Sequence, residues 1–126
     1  MSALVTKVRQ SHDEWELHLL LEDQTDDETT SDEVDISNAK HLGFIVVSAA
    51  GVSGGVVELE SSPTTGYTGT WKQIGTLTTN AATTVFADSY APTDGGFPSR
   101  YVRARISTVI SGGGSPSVSV YLVVQR

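Results

Sequence analysis

Alternating apolar and polar positions dominate the chain from residue 43 to its end. RYVRARISTVI (100–110) and SVSVYLVVQ (117–125) alternate with period two on either side of a Gly-rich turn. VVELES (56–61) alternates in the same way, whereas GFIVVSAA (43–50) is a nearly continuous apolar run rich in β-branched residues. Because successive side chains of a strand point to opposite faces, the alternating segments predict strands with one buried face. The continuous run predicts a strand that is buried on both faces.

The N-terminal segment EWELHLLLE (14–22) also alternates, with apolar residues between charged or polar ones over its first six positions. A helix is possible, because Leu17, Leu20 and Leu21 fall at helical spacing, but the alternation favours a strand. The predicted core then consists of Trp15, Leu17, Leu19, Phe44, Val46, Val57, Leu59, Ile74, Phe86, Val102, Ile106, Val118, Val120 and Leu122.

Many short strands with turn signals between them predict an all-β protein, a two-sheet β-sandwich or jelly roll of about eight strands. A chain of 126 residues is long enough for one domain with its own core. We divide it into residues 1–42, an N-terminal strand plus an extended acidic arm or connector, and residues 43–126, the sandwich core.

The acidity of the chain is concentrated in EDQTDDETTSDEVD (22–35), which holds eight of the fifteen carboxylates. The stretch has no Gly and does not match the spacing of an EF-hand calcium loop, although a looser calcium site stays possible. Two other interpretations are a solvated connector, because clustered like charges repel, and an arm that contacts a basic patch on a partner.

The sequence offers no catalytic or cofactor-binding motif. The chain has no Cys, no G-x-S-x-G and no phosphate-binding loop, so we expect no enzyme, no cofactor and no metal. The three histidines, His12, His18 and His41, lack convergent spacing and are interpreted as surface residues. An acidic chain is a poor nucleic-acid binder, and no stretch has the apolar length of a signal peptide or a membrane span. We therefore expect a soluble protein made in the cytoplasm.

Two pairs of charged residues on the predicted strands are suited to each other. Glu58 and Glu60 share one strand face, and Arg103 and Arg105 share the outward face of another at the same spacing. Since opposite charges on neighbouring strands attract, we predict a structural ladder of ion pairs rather than a catalytic pair of carboxylates.

Aromatic residues in or beside loops suggest a second function. Tyr67, Trp71 and Tyr90 resemble the loop platforms of a glycan-binding module, although packing in the core or at its rim explains such residues as well.

The stretches VVELESSPTTGYTGTWKQIGTL and YVRARISTVISGGGSPSVSVYLV resemble a pattern of small β-sandwich structural proteins of tailed-phage virions, which include capsid decoration (cement), head-fibre and tail-adaptor proteins. The resemblance covers about residues 43–126. A similar S-x-x-x-G-x-W stretch occurs in discoidin-like carbohydrate-binding modules, which keeps the glycan-binding alternative open.

The resemblance implies a non-enzymatic capsid decoration protein at the capsid surface of the virion, synthesised in the host cytoplasm. It implies a homotrimer that binds the major capsid protein of a tailed phage and stabilises the head shell, with neither nucleic acid nor membrane as a partner. By analogy with the N-terminal arms of such proteins, the expected partner-binding residues are Trp15, Leu17, Leu20, Asp26, Asp27 and Glu28.

Overall fold

The computed structural model describes residues 3–10, 13–79, 85–90 and 100–126, with side-chain surroundings for residues 16–79 and 100–126. These residues contain nine strands and no helix. The strands are β1 (Ala3–Gln10), β2 (Asp13–Gln24), β3 (Val34–Asp35), β4 (His41–Ser48), β5 (Val52–Ser62), β6 (Lys72–Thr78), β7 (Val85–Tyr90), β8 (Tyr101–Gly112) and β9 (Val118–Gln125).

The strands form two antiparallel sheets. The five-stranded sheet has the order β1-β2-β9-β4-β7, and the four-stranded sheet has the order β3-β8-β5-β6. The prediction of an all-β, two-sheet sandwich is thereby confirmed. The pairing of β2 with β9 joins the N-terminal segment, residues 1–42, to the predicted core, residues 43–126, within one hydrogen-bonded sheet.

The core lies between the two sheets and is apolar, as a sandwich interior requires. Phe44 and Val46 of β4 meet Val57 and Leu59 of β5 in one buried cluster. The predicted core residues Val102, Ile106, Val118, Val120 and Leu122 are buried as well, and Ile74 is partly buried against the cluster. The side chains of Trp15 and Phe86 lie outside the described residues.

The orientation of β2 differs from the predicted one. Leu17 lies opposite Val123 and Leu19 opposite Tyr121, and those β9 residues alternate with the buried ones, so both leucines occupy the outer face. The prediction that Leu17 and Leu19 belong to the core was therefore wrong. The physical reason is register, because a shift of one residue moves every side chain of a strand to the other face.

A β-bulge shifts the register between β2 and β9 farther along β2. The pairing with β9 shifts between Leu19 and Leu21, and the extra residue leaves Leu20 and Leu21 both buried, with exposures of 0% and 1%. Leu20 was predicted to bind a partner. That prediction was wrong, because its side chain fills the core.

Hydrogen bonds attach the acidic segment, residues 22–35, to the edge of β8. The backbone N–H of Glu28 donates to the carbonyl of Ile106 at 2.7 Å, and that of Ser31 donates to the carbonyl of Ala104 at 2.9 Å. Thr30 forms an isolated bridge with Arg105, and β3 continues the pairing beyond it. The segment is thus part of the sandwich, which corrects its interpretation as a solvated connector.

Candidate functional site

The four residues predicted to form an ion-pair ladder meet on the outer face of the four-stranded sheet. β5 and β8 pair with Glu58 opposite Arg105 and Glu60 opposite Arg103. Arg105 donates from Nε to Glu60 at 3.0 Å and from Nη2 to Glu58 at 2.8 Å, while Arg103 Nε donates to Glu60 at 3.1 Å. The Glu60 side chain is 8% exposed, so its charge depends on these two donors.

The acidic segment adds one member to the ladder. Arg105 Nη1 donates to Glu28 at 2.7 Å. Burial acts to lower the pKa of Arg105, but the hydrogen bond to Glu58 and the surrounding carboxylate charges outweigh it and raise that pKa. Glu28 therefore contacts its own chain, whereas the neighbouring Asp26 and Asp27 side chains are exposed.

The aromatic residues near this ladder do not form the predicted glycan platform. The Arg103 guanidinium lies 4.0 Å from the centre of the Trp71 ring, a cation–π contact, and Trp71 is 8% exposed. Tyr67 is half-buried and contacts Trp71 edge-on, with the ring centres 6.3 Å apart. Trp71 thus serves as packing and not as a free stacking surface. The side chain of Tyr90 lies outside the described residues.

An open groove of about 510 Å³ lies beside the ladder. Three carboxylates of the acidic segment line it together with Tyr101 and Arg103. One of them, Glu33, accepts hydrogen bonds from Thr65 Oγ1 at 2.7 Å and from the Gly66 N–H at 2.8 Å, so it holds the 62–69 loop in place. The Glu33 carboxylate is therefore already bound within the chain.

A second polar cluster closes one end of the sandwich. Arg126 donates to the carbonyls of Ser37 and Asp35 and to the Glu16 carboxylate, the last at 3.3 Å. Glu16 also lies 3.0 Å from His18 Nε2. Burial acts to raise the pKa of Glu16, but its hydrogen bonds outweigh burial and lower that pKa. Sequence reasoning missed Arg126, because no pattern marks a single cation at the end of a strand.

The outer face of the five-stranded sheet has a different character. Ser119 and Gln125 of β9 and His41 of β4 lie on this face toward the ends of their strands. The seven central positions of the three inner strands are Leu17 and Leu19 of β2, Gly43, Ile45 and Val47 of β4, and Tyr121 and Val123 of β9. All seven are half-buried and none is charged. Leu17, predicted to bind a partner, lies here, and Trp15 occupies a register position on the same face, opposite Gln125.

The described residues hold no group of three or more His, Cys, Asp or Glu side chains arranged to bind a metal. No helix in the described part of the chain is long and apolar enough to cross a membrane. Two surfaces of the described residues have distinct character, namely the acidic segment with the exposed Asp26 and Asp27, and the uncharged centre of the outer face of the five-stranded sheet.

The geometry defines an antiparallel β-sandwich that offers surfaces for binding. No family model matches the sequence, and no curated protein matches it. Among solved structures, the chain is similar to the crystal structure of the SPBc2 prophage-derived protein YomS, with a TM-score of 0.59 and 11% sequence identity. The match covers 94% of this chain and 99% of that one. At this identity the likeness shows a shared fold.

Proposed function

We propose that this chain is a non-enzymatic structural protein of a phage particle, and specifically a capsid decoration protein. It binds the major capsid protein and stabilises the head shell, in three copies suited to threefold positions. The observation that carries the proposal is the likeness in fold, along nearly the whole of both chains, to a prophage-derived protein. The resemblance of residues 43–126 to phage virion proteins supports the same conclusion.

The acidic segment is the part of the molecule that we assign to the shell. Asp26 and Asp27 are exposed, and backbone hydrogen bonds on both sides of them, from Ile110 to Thr25 and from Glu28 to Ile106, fix their position. A fixed cluster of like charge is suited to a basic surface, where complementary charge steers association and selects the partner. Because the segment is already ordered, binding loses little conformational entropy.

Cosedimentation with heads assembled from the major capsid protein of the same phage tests the proposal. We expect the wild-type chain to coat the heads and to dissociate as salt is raised. Asp26→Asn/Asp27→Asn should bind several-fold more weakly, with a smaller dependence on salt.

The control variant is Thr76→Lys/Thr78→Lys, which changes the net charge by the same amount at two exposed positions of β6, the strand at the opposite edge of the four-stranded sheet from the segment. It should bind as the wild type does. Absence of wild-type binding at low salt would contradict the decoration role, whereas equal binding by the two double variants would contradict the role of the acidic segment.

A further inference from the structure

Two cross-strand rows pass through the centre of the outer face of the five-stranded sheet, and neither contains a charged residue. Strand pairing places ten residues in them, five to a row, one from each strand. The first row is Ala3, Leu19, Tyr121, Ile45 and Ala87, and the second is Thr6, Leu17, Val123, Gly43 and Ser89.

Strand β4 of this sheet has the composition of a strand covered on both sides. β4 carries Phe44 and Val46 toward the core and Ile45 and Val47 away from it, all of them apolar. Antiparallel sheets with one face in water normally carry polar residues on that face, and the four-stranded sheet does so with its ion pairs. Ile45 and Tyr121, on the outer side, are half-buried and lie outside the core cluster. A contiguous apolar area of this kind marks a protein contact.

Charge indicates what covers this face. The chain has a formal net charge of -7. Two copies repel each other wherever their carboxylates approach, and like charges placed in contact are strongly unfavourable. At the two uncharged rows, identical copies meet without that penalty. Contacts between copies of one chain are also more apolar than contacts between different proteins, which agrees with Leu17, Leu19, Ile45 and Val123.

The area of the face is sufficient for such a contact. Strands at a spacing of about 4.8 Å and about eight residues long give a five-stranded sheet a footprint of roughly 600 Å². Two such faces bury roughly 1,200 Å² in total, above the roughly 1,000 Å² expected of a biological interface. We propose that the outer face of the five-stranded sheet is the contact surface between copies of this chain. The inference does not depend on a role in the virion.

The absolute mass of the purified full-length chain, measured by light scattering at micromolar concentration, tests the proposal. We expect the wild type to have a mass of at least two chains, where one chain has a mass of 13.4 kDa. Ile45→Lys places a charge in the centre of the face and should reduce the mass to that of one chain. Thr76→Lys, on the outer face of the other sheet, should leave the wild-type mass unchanged. A monomeric wild type, or an Ile45→Lys variant that folds and keeps the wild-type mass, would overturn the proposal.

A second measurement covers the case in which Ile45→Lys does not fold. Because the chain has no cysteine, Val123→Cys and Thr76→Cys each introduce a single thiol. The Val123→Cys thiol should react slowly with a charged thiol reagent at high protein concentration and several-fold faster on dilution. The Thr76→Cys thiol should react quickly at every concentration. A Val123→Cys rate that is equally fast at all concentrations would refute the contact.

Discussion

Arg105 is predicted to contribute more to stability than any exposed cation of the chain, and Arg105→Met measures that contribution. The substitution keeps the aliphatic part of the side chain and removes donors to Glu58, at 2.8 Å, and to Glu60, at 3.0 Å. Hydrogen bonds to charged groups are each worth about 1.5–3 kcal/mol, and leaving a buried carboxylate without its partner costs about 3–5 kcal/mol.

The free energy of unfolding lost in Arg105→Met should be smaller than the sum of those figures for two reasons. The Arg105 side chain is 23% exposed, so water screens part of its interaction, and Arg103 still donates to Glu60 after the change. We therefore expect Arg105→Met to lower the free energy of unfolding by about 2 kcal/mol, more than an exposed ion pair contributes.

Urea unfolding at neutral pH, followed by far-UV circular dichroism and extrapolated linearly to water, gives the measurement. All variants must be compared at one protein concentration, because association of copies changes apparent stability. Arg100→Met is the matched control, since Arg100 pairs with Asp35 at 3.1 Å but its side chain is 59% exposed. The control should lose no more than the roughly 0–1 kcal/mol that an exposed ion pair contributes. An Arg105→Met variant as stable as the control would refute the assignment of stability to the ladder.

Three further predictions concern the core, a glycine within β5 and pH. Leu20→Ala should lower the free energy of unfolding by about 2–4 kcal/mol in the same assay, since Leu20 is fully buried; a loss below about 1 kcal/mol would contradict its place in the core. Gly55→Ala should destabilise by more than about 1 kcal/mol, because Gly55 has a φ of 129° and an added Cβ would lie 2.5 Å from Ile110 Cδ1; a wild-type melting temperature would refute this. Hydrogen bonds and the pair with Arg100 outweigh the effect of burial and lower the pKa of Asp35 from 3.8 to about 2, so its contribution to stability is complete above pH 3.8 and is lost as pH falls toward 2. Urea midpoints of Asp35→Asn should decline less over that range than those of the wild type, and identical slopes would count against the assignment.

The sequence predicts the sheet architecture well where alternation is regular. β9 alternates over its whole length and β8 alternates from Tyr101 to Ile106, and the buried residues there are the ones that period two selects, such as Val102 and Val120. In the same way, the i, i+2 spacing of Glu58 and Glu60 indicated the ladder, because strand geometry alone places such pairs on one face.

The N-terminal strand shows where this reasoning stops. Alternation reveals that Leu17 and Leu19 share a face but does not reveal which face lies inward, since pairing with β9 decides it. The bulge that brings Leu21 to the buried face beside Leu20 has no marker in the sequence. The continuous run at 43–50, by contrast, did indicate that both faces of β4 are apolar. The structure accounts for burial of one of these faces, and the inferred contact between copies accounts for the other.

The position of the acidic segment has a consequence for aggregation. Without residues 25–35, β8 would be an edge strand of twelve residues, with a row of open backbone donors and acceptors available to any other chain. An exposed edge of that length is a template for edge-to-edge association. The chain covers it with its own backbone and places exposed carboxylates such as Asp26 and Asp27 along the covering segment. A further copy that approaches this edge meets like charge, which disfavours edge-to-edge association on this side of the sandwich.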